Sequence, residues 1–134
     1  MSHFVLRTFV LAIFLLTVSS AQTPDPNSVP VIDGGLGPCT AGFTINDTAA
    51  KPVYAAKIKV HIAYGFASVR KLDLEVSTNA AGQARFTGLP DRAKHGLFFE
   101  ASESDRTATA FDDPANTCQA QFTLVLRKSS EQKP

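Results

Sequence analysis

The sequence predicts an all-β fold, a seven-stranded antiparallel sandwich of two sheets, and three observations carry that expectation. Apolar and polar residues alternate with period two in several short runs, turn-forming residues separate those runs at regular intervals, and no stretch keeps a helical period. A chain of 134 residues with 44% hydrophobic and 19% charged residues has enough material for one packed core. Such a composition belongs to a globular protein.

The elements follow in chain order. Met1–Ala21 reads as an export signal: Arg7 gives the positive start, Phe9–Val18 the apolar run, and Ser19-Ser20-Ala21 the small residues that predict cleavage after Ala21. The apolar run is about half the roughly 20 residues that a membrane span needs. Residues 22–38 hold Pro24, Pro26, Pro30 and Pro38 with Gly34, Gly35 and Gly37, and read as an extended tether. The folded unit is expected over residues 39–128, with a polar tail at 129–134.

Within that unit Gly42–Asn46 is a short strand and Asp47–Pro52 a turn. Ala56–Tyr64 is the clearest strand, with Ile58, Val60, Ile62 and Tyr64 on one face and Lys57, Lys59 and His61 on the other. Lys71–Ser77 alternates Leu72, Leu74 and Val76 with Lys71, Asp73 and Glu75. Val76–Pro90 reads as a strand end, a tight reversal at Asn79–Gly82, and a hairpin partner through Ala84 and Phe86; Asn and Gly tolerate the positive φ of such a reversal. Gly96–Ser102, Arg106–Phe111 and Gln119–Arg127 supply the last three strands.

Charge and cysteine content narrow the setting. Lys+Arg number 13 and Asp+Glu 12, and loss of Arg7 with the leader leaves 12 of each, so net charge offers no footprint for nucleic acid or anionic membrane. The two cysteines, Cys39 and Cys118, would meet an oxidising compartment after export. Without nearby His they make a poor zinc pair, and a disulfide is favoured over two free thiols. A bridge closing so long a loop is worth roughly 4–5 kcal/mol on the loop-entropy argument.

Several residues then become familiar. Lys51–Val60, KPVYAAKIKV, resembles the Pro-Val-x-x-Ala-x-Val-x-Val opening of carboxypeptidase regulatory-like domains. Thr78–Pro90, TNAAGQARFTGLP, resembles their Thr-x-x-x-Gly-x-Phe-x-Phe-x-Gly-Leu-Pro hairpin, and His95–Ser102 lies where they have a Tyr-x-Leu-x-Ala strand. The resemblance covers roughly Gly42 to Arg127, and departs from the pattern at Ala84 and at the polar insert Asp91–Lys94. It implies a Greek-key sandwich of transthyretin-like or immunoglobulin-like kind, acting as a non-catalytic binding or interaction module on exported proteins. The implied module has no catalytic, cofactor-binding or metal-binding residue and no cofactor. Its partner would be a protein or an envelope glycan, with no nucleic acid and no membrane span once the leader is removed. Its location would be periplasmic, cell-surface or extracellular.

Two rival functions come from other classes. Carbohydrate binding would use exposed aromatic faces; the chain has no Trp, and Phe66 and Phe98 are the rings placed to be exposed, beside Tyr54 and Tyr64. Hydroxyisourate hydrolases share the transthyretin-like sandwich, but their C-terminal Tyr-Arg-Gly-Ser has no counterpart in Ser129–Pro134. His61 and His95 read as solvated surface histidines with no triad in sequence reach. Glu100, Glu103, Asp105, Asp112 and Asp113 lie near turns and could offer oxygen ligands to Ca²⁺, though without EF-hand spacing. Asn46-Asp47-Thr48 satisfies the N-glycosylation pattern.

Overall fold

A computed structural model describes residues 28–131; the leader, its cleavage after Ala21 and residues 22–27 of the first linker lie outside them. The described chain is all-β, with two short 3-10 turns at Phe66–Ser68 and Ser129–Glu131. Its strands are β1 (Val31–Asp33), β2 (Cys39–Asn46), β3 (Lys57–Tyr64), β4 (Arg70–Ser77), β5 (Gln83–Leu89), β6 (Leu97–Glu103), β7 (Arg106–Asp112), β8 (Gln119–Val125) and β9 (Arg127–Lys128). They form a four-stranded sheet in the order β1-β5-β2-β8 and a five-stranded sheet in the order β4-β3-β6-β7-β9.

The strands form where alternation puts apolar residues on one face. On β3, Ile58, Val60 and Ile62 are buried while Lys57, Lys59 and His61 are exposed. On β6, Leu97, Phe99 and Ala101 are buried while Phe98 and Glu100 are exposed. The two sheets meet around four phenylalanines. Phe99 of β6 lies 4.9 Å from Phe43, 5.3 Å from Phe86 and 6.2 Å from Phe122, ring centre to ring centre, and those three belong to β2, β5 and β8. Tilted contacts at these separations suit the ring quadrupoles and add to the area buried.

Three sequence expectations require correction. The sheets are mixed: β2 runs parallel to β8 from Thr40 beside Gln119 to Asn46 beside Val125, and β1 runs parallel to β5. Alternation records which face a residue occupies, and it carries no information about strand direction. The linker is also more than a tether. Val31–Asp33 pairs with Arg85–Thr87, and Gly34 and Leu36 donate to the carbonyls of Thr87 and Gly88. Pro30 and Pro38 flank the strand, so neither removes a donor from its ladder, and the Pro30 carbonyl accepts from Arg85.

The third correction concerns the reversal at Asn79–Gly82. The turn exists, closed by Gly82 N–H to the Asn79 carbonyl at 2.9 Å, but β4 and β5 lie in different sheets. The stretch is a corner between sheets, where a hairpin was expected. Buried side chains make the corner. Thr78 Oγ1 donates to the Val53 carbonyl at 2.6 Å and accepts from Ala56 N–H at 2.9 Å. Asn79 Oδ1 accepts from Ala81 and Gln83 N–H, while Asn79 Nδ2 donates to the Ser28 carbonyl. Gly82 has φ +73°, and a Cβ there would run into the Ile45 carbonyl. Cys39 and Cys118 form a disulfide at the start of the β2–β8 pairing, with Cα atoms 4.6 Å apart and a sequence separation of 79.

Candidate functional site

The outer face of the five-stranded sheet carries a concavity of about 620 Å³. Its walls follow from the register. In the β3–β4 pair, Lys59 stands opposite Glu75 and His61 opposite Asp73. In the β3–β6 pair, Lys59 stands opposite Glu100, and in the β6–β7 pair Phe98 stands opposite Phe111. Each of these side chains points away from the core because its neighbours in sequence point into it.

The chemistry divides across the sheet. On the β3–β4 side, His61 Nδ1 lies 2.5 Å from Asp73 Oδ1. An ionised carboxylate can only accept, so in this contact Nδ1 is the donor, and in the neutral ring Nε2 is then the acceptor. Glu75 sits between two ammonium groups, 3.9 Å from Lys57 Nζ and 3.7 Å from Lys59 Nζ. On the β6–β7 side, Phe98 and Phe111 stay 63% and 51% exposed, their rings 5.4 Å apart. Among the described residues no cation closes on Glu100, whose carboxylate lies between the two halves. The groove therefore combines an apolar aromatic wall, a carboxylate and an oriented histidine.

The remaining candidates fall elsewhere. His95 borders a smaller hollow of about 310 Å³ that also reaches His61. The acidic residues considered for calcium are spread along the β6–β7 pair. Glu103 is tied to Arg106, a hydrogen bond that holds its carboxyl below the usual range and raises the guanidinium's pKa. Asp105 lies 3.9 Å from Lys128 Nζ. Asp113 accepts from Ala115 N–H and Asn116 Nδ2 in the β7–β8 loop. Asp112 is buried on the core face of β7; its burial, and then the neighbouring Asp113, push its carboxyl upward. Among the described residues no three His, Cys, Asp or Glu side chains converge on one point. Tyr54 is exposed in a turn, and Tyr64 packs against the core.

Sequence reasoning missed Asp73 as the partner of His61 and Phe111 as the partner of Phe98. A signal for the first was present: His61 and Asp73 lie equally far on either side of Ala67, as do Lys59 and Glu75. Cross-strand neighbours in a hairpin are equidistant from its turn, so centring the turn on Ala67 yields both pairs. The same signal marks the second pair, since Phe98 and Phe111 lie equally far on either side of the Ser104–Asp105 turn.

No protein-family model matches this chain, and no curated protein matches its sequence. Solved structures similar to it include catechol 1,2-dioxygenase from Acinetobacter sp. ADP1 inhibited by bound mercury. It is 14% identical with a TM-score of 0.48, over 75% of this chain and 59% of that one. The 3-chlorocatechol 1,2-dioxygenase from Rhodococcus opacus 1CP is 12% identical with a TM-score of 0.48, over 81% of this chain and 70% of that one. Hydroxyquinol 1,2-dioxygenase from Pseudomonas putida DLL-E4 is 11% identical with a TM-score of 0.47, over 77% and 63%. The chain thus spans less than two thirds of the Acinetobacter and Pseudomonas enzymes, and likeness at this level transfers no substrate or residue role. It does correct the resemblance drawn from sequence, because the similar structures are dioxygenases and not carboxypeptidase regulatory-like domains. The matched strings Lys51–Val60 and Thr78–Pro90 encode strands and a corner, which unrelated sandwiches also need. The non-catalytic interaction module, its transthyretin-like label and the assignment as no enzyme rested on that resemblance and are withdrawn with it.

Proposed function

We propose that the groove on the five-stranded sheet binds a small hydroxylated aromatic compound and moves a proton from it, with His61 as general base. The observation that carries this is the His61–Asp73 contact of 2.5 Å in a groove that the exposed ring of Phe98 also lines. Asp73 holds the tautomer, His61 Nε2 takes the hydroxyl proton, and Phe98, with Phe111 packed beside it, receives the flat apolar body. Structural need does not account for the pair. Its side chains are 57% and 80% exposed, and ion pairs so exposed contribute little to stability.

The finer architecture we infer is a Greek-key sandwich of seven principal strands, β2 to β8, with β1 and β9 as short additions. Its support is the chain's passage between sheets at β2–β3, β4–β5, β5–β6 and β7–β8. We place the start of the folded unit at the β1 segment, with the leader removed after Ala21 and the protein exported. The Arg7 and apolar-run pattern and the Cys39–Cys118 bridge support that setting.

The test is a heteronuclear NMR titration of the leader-free protein with a panel of phenols and catechols. Amide shifts confined to β3, β4, β6 and β7 are expected, together with a downfield move of the His61 ring signals as it takes the proton. His61→Ala and Phe98→Ser should each weaken the shifts at least about tenfold. Shifts scattered over the surface, or unchanged by both substitutions, would dismiss the reading.

A further inference from the structure

We propose that the β3–β4 turn is a membrane-docking finger that inserts Phe66 and Val69 into an anionic lipid surface. Phe66 is 94% exposed and Val69 73%, the two most exposed large apolar side chains among the described residues. They sit at the tip of a hairpin, where no residue of the 3-10 turn is buried, so neither side chain serves the core. The backbone that presents them is strained. Gly65, Ala67 and Ser68 all have positive φ, at +77°, +54° and +54°, and the turn is closed by Ser68 N–H to the Gly65 carbonyl at 3.1 Å. Ala and Ser rarely adopt this region, and the turn that they form leaves Phe66 facing outward.

What surrounds the tip selects the partner. Arg70 and Lys71 open β4 directly behind it, opposite Tyr64 and Ala63. Ala63 shares a hollow with Ala93, Lys94 and His95, so the β5–β6 loop, which also carries Arg92, stands at the same end of the sheet. Arg70, Lys71, Arg92 and Lys94 are all exposed, and among the described residues none of them closes an ion pair; Asp91 is the one carboxylate in that loop. An apolar tip with a collar of cations behind it matches the interface of an anionic bilayer, where acyl chains take the rings and headgroups take the charge. The near-zero net charge conceals this because the compensating carboxylates lie elsewhere on the surface. The inference does not depend on the groove.

Co-sedimentation of the leader-free, disulfide-intact protein with vesicles tests it. Phosphatidylcholine vesicles are compared with vesicles that also contain phosphatidylglycerol. Binding to the anionic vesicles is expected, falling about tenfold in Phe66→Ser. Each of Arg70→Gln and Lys71→Gln should weaken it about fivefold, and raised salt should weaken it further. Thermal melting of the variants should match the parent, since none of these side chains is buried. Failure to bind anionic vesicles, equal binding to both vesicle types, or binding indifferent to all three substitutions would overturn the proposal.

Discussion

Asp112 shows how one residue can set a pH response. Alternation along β7 puts it on the same face as Ala108 and Ala110, so a carboxylate lands at the rim of the core. It is 5% exposed, and its Oδ2 has no hydrogen-bond partner among the described residues. Burial first, and the adjacent Asp113 second, raise its pKa above the ordinary 3.8. A raised carboxyl pKa in the folded state means that protonation favours folding. Its contribution is fully present below pH 3.8 and is lost as pH rises through the folded value. Asp112→Asn should therefore stabilise the protein at neutral pH by on the order of 1 kcal/mol, the advantage shrinking as pH falls toward the unfolded value. Urea denaturation of both proteins at neutral and at acid pH measures this. An advantage that persists undiminished in acid would mean that the charge is not the cause.

At the scale of elements, the strands themselves were legible because their evidence is local. The alternation of Ile58, Val60 and Ile62 with Lys57, Lys59 and His61 fixes both the strand and its buried face. Pairing was less legible. Asn79 and Gly82 announce a reversal, but whether the chain returns along its own sheet or turns into another depends on Thr78 and Asn79 finding partners at Val53, Ala56 and Ser28. Those contacts are long-range, and turn composition does not encode them. The same limit hid the candidate site. His61, Lys59 and Phe98 were readable as outward-facing, whereas the His61–Asp73 and Phe98–Phe111 pairs needed a register. Packing between the sheets rests most heavily on Phe99, the one ring of the five-stranded sheet in contact with three rings of the other. Phe99→Ala should cost about 3–5 kcal/mol, seen as a lower urea midpoint at an unchanged slope, while Phe98→Ala on the opposite face of β6 should cost well under half as much. Equal losses would place the core on the wrong face of the sheet.

The whole molecule is closed by a single covalent link. Cys39 begins β2 and Cys118 immediately precedes β8, the edge strand that pairs in parallel with β2 in the four-stranded sheet. Parallel neighbours cannot be joined by a tight turn, and the chain between these cysteines passes through both sheets before returning. The entropy of holding those ends together is therefore the largest conformational cost that one bond in this fold can reduce, because the bridge keeps the unfolded chain looped over 79 residues. Replacing both cysteines with alanine should lower the unfolding free energy by about 3–5 kcal/mol and slow refolding, as β2 and β8 must then meet by diffusion. The bridged protein, unfolded without reductant, should take up no thiol alkylator. The experiment also separates two accounts of the fold. If the double variant keeps the parent's unfolding midpoint, the β2–β8 ladder and the phenylalanine cluster suffice to order the ends, and the bridge serves resistance to proteolysis. A large loss confined to stability, with the amide spectrum of the folded state unchanged, assigns the bridge to the unfolded ensemble, where the loop argument puts it.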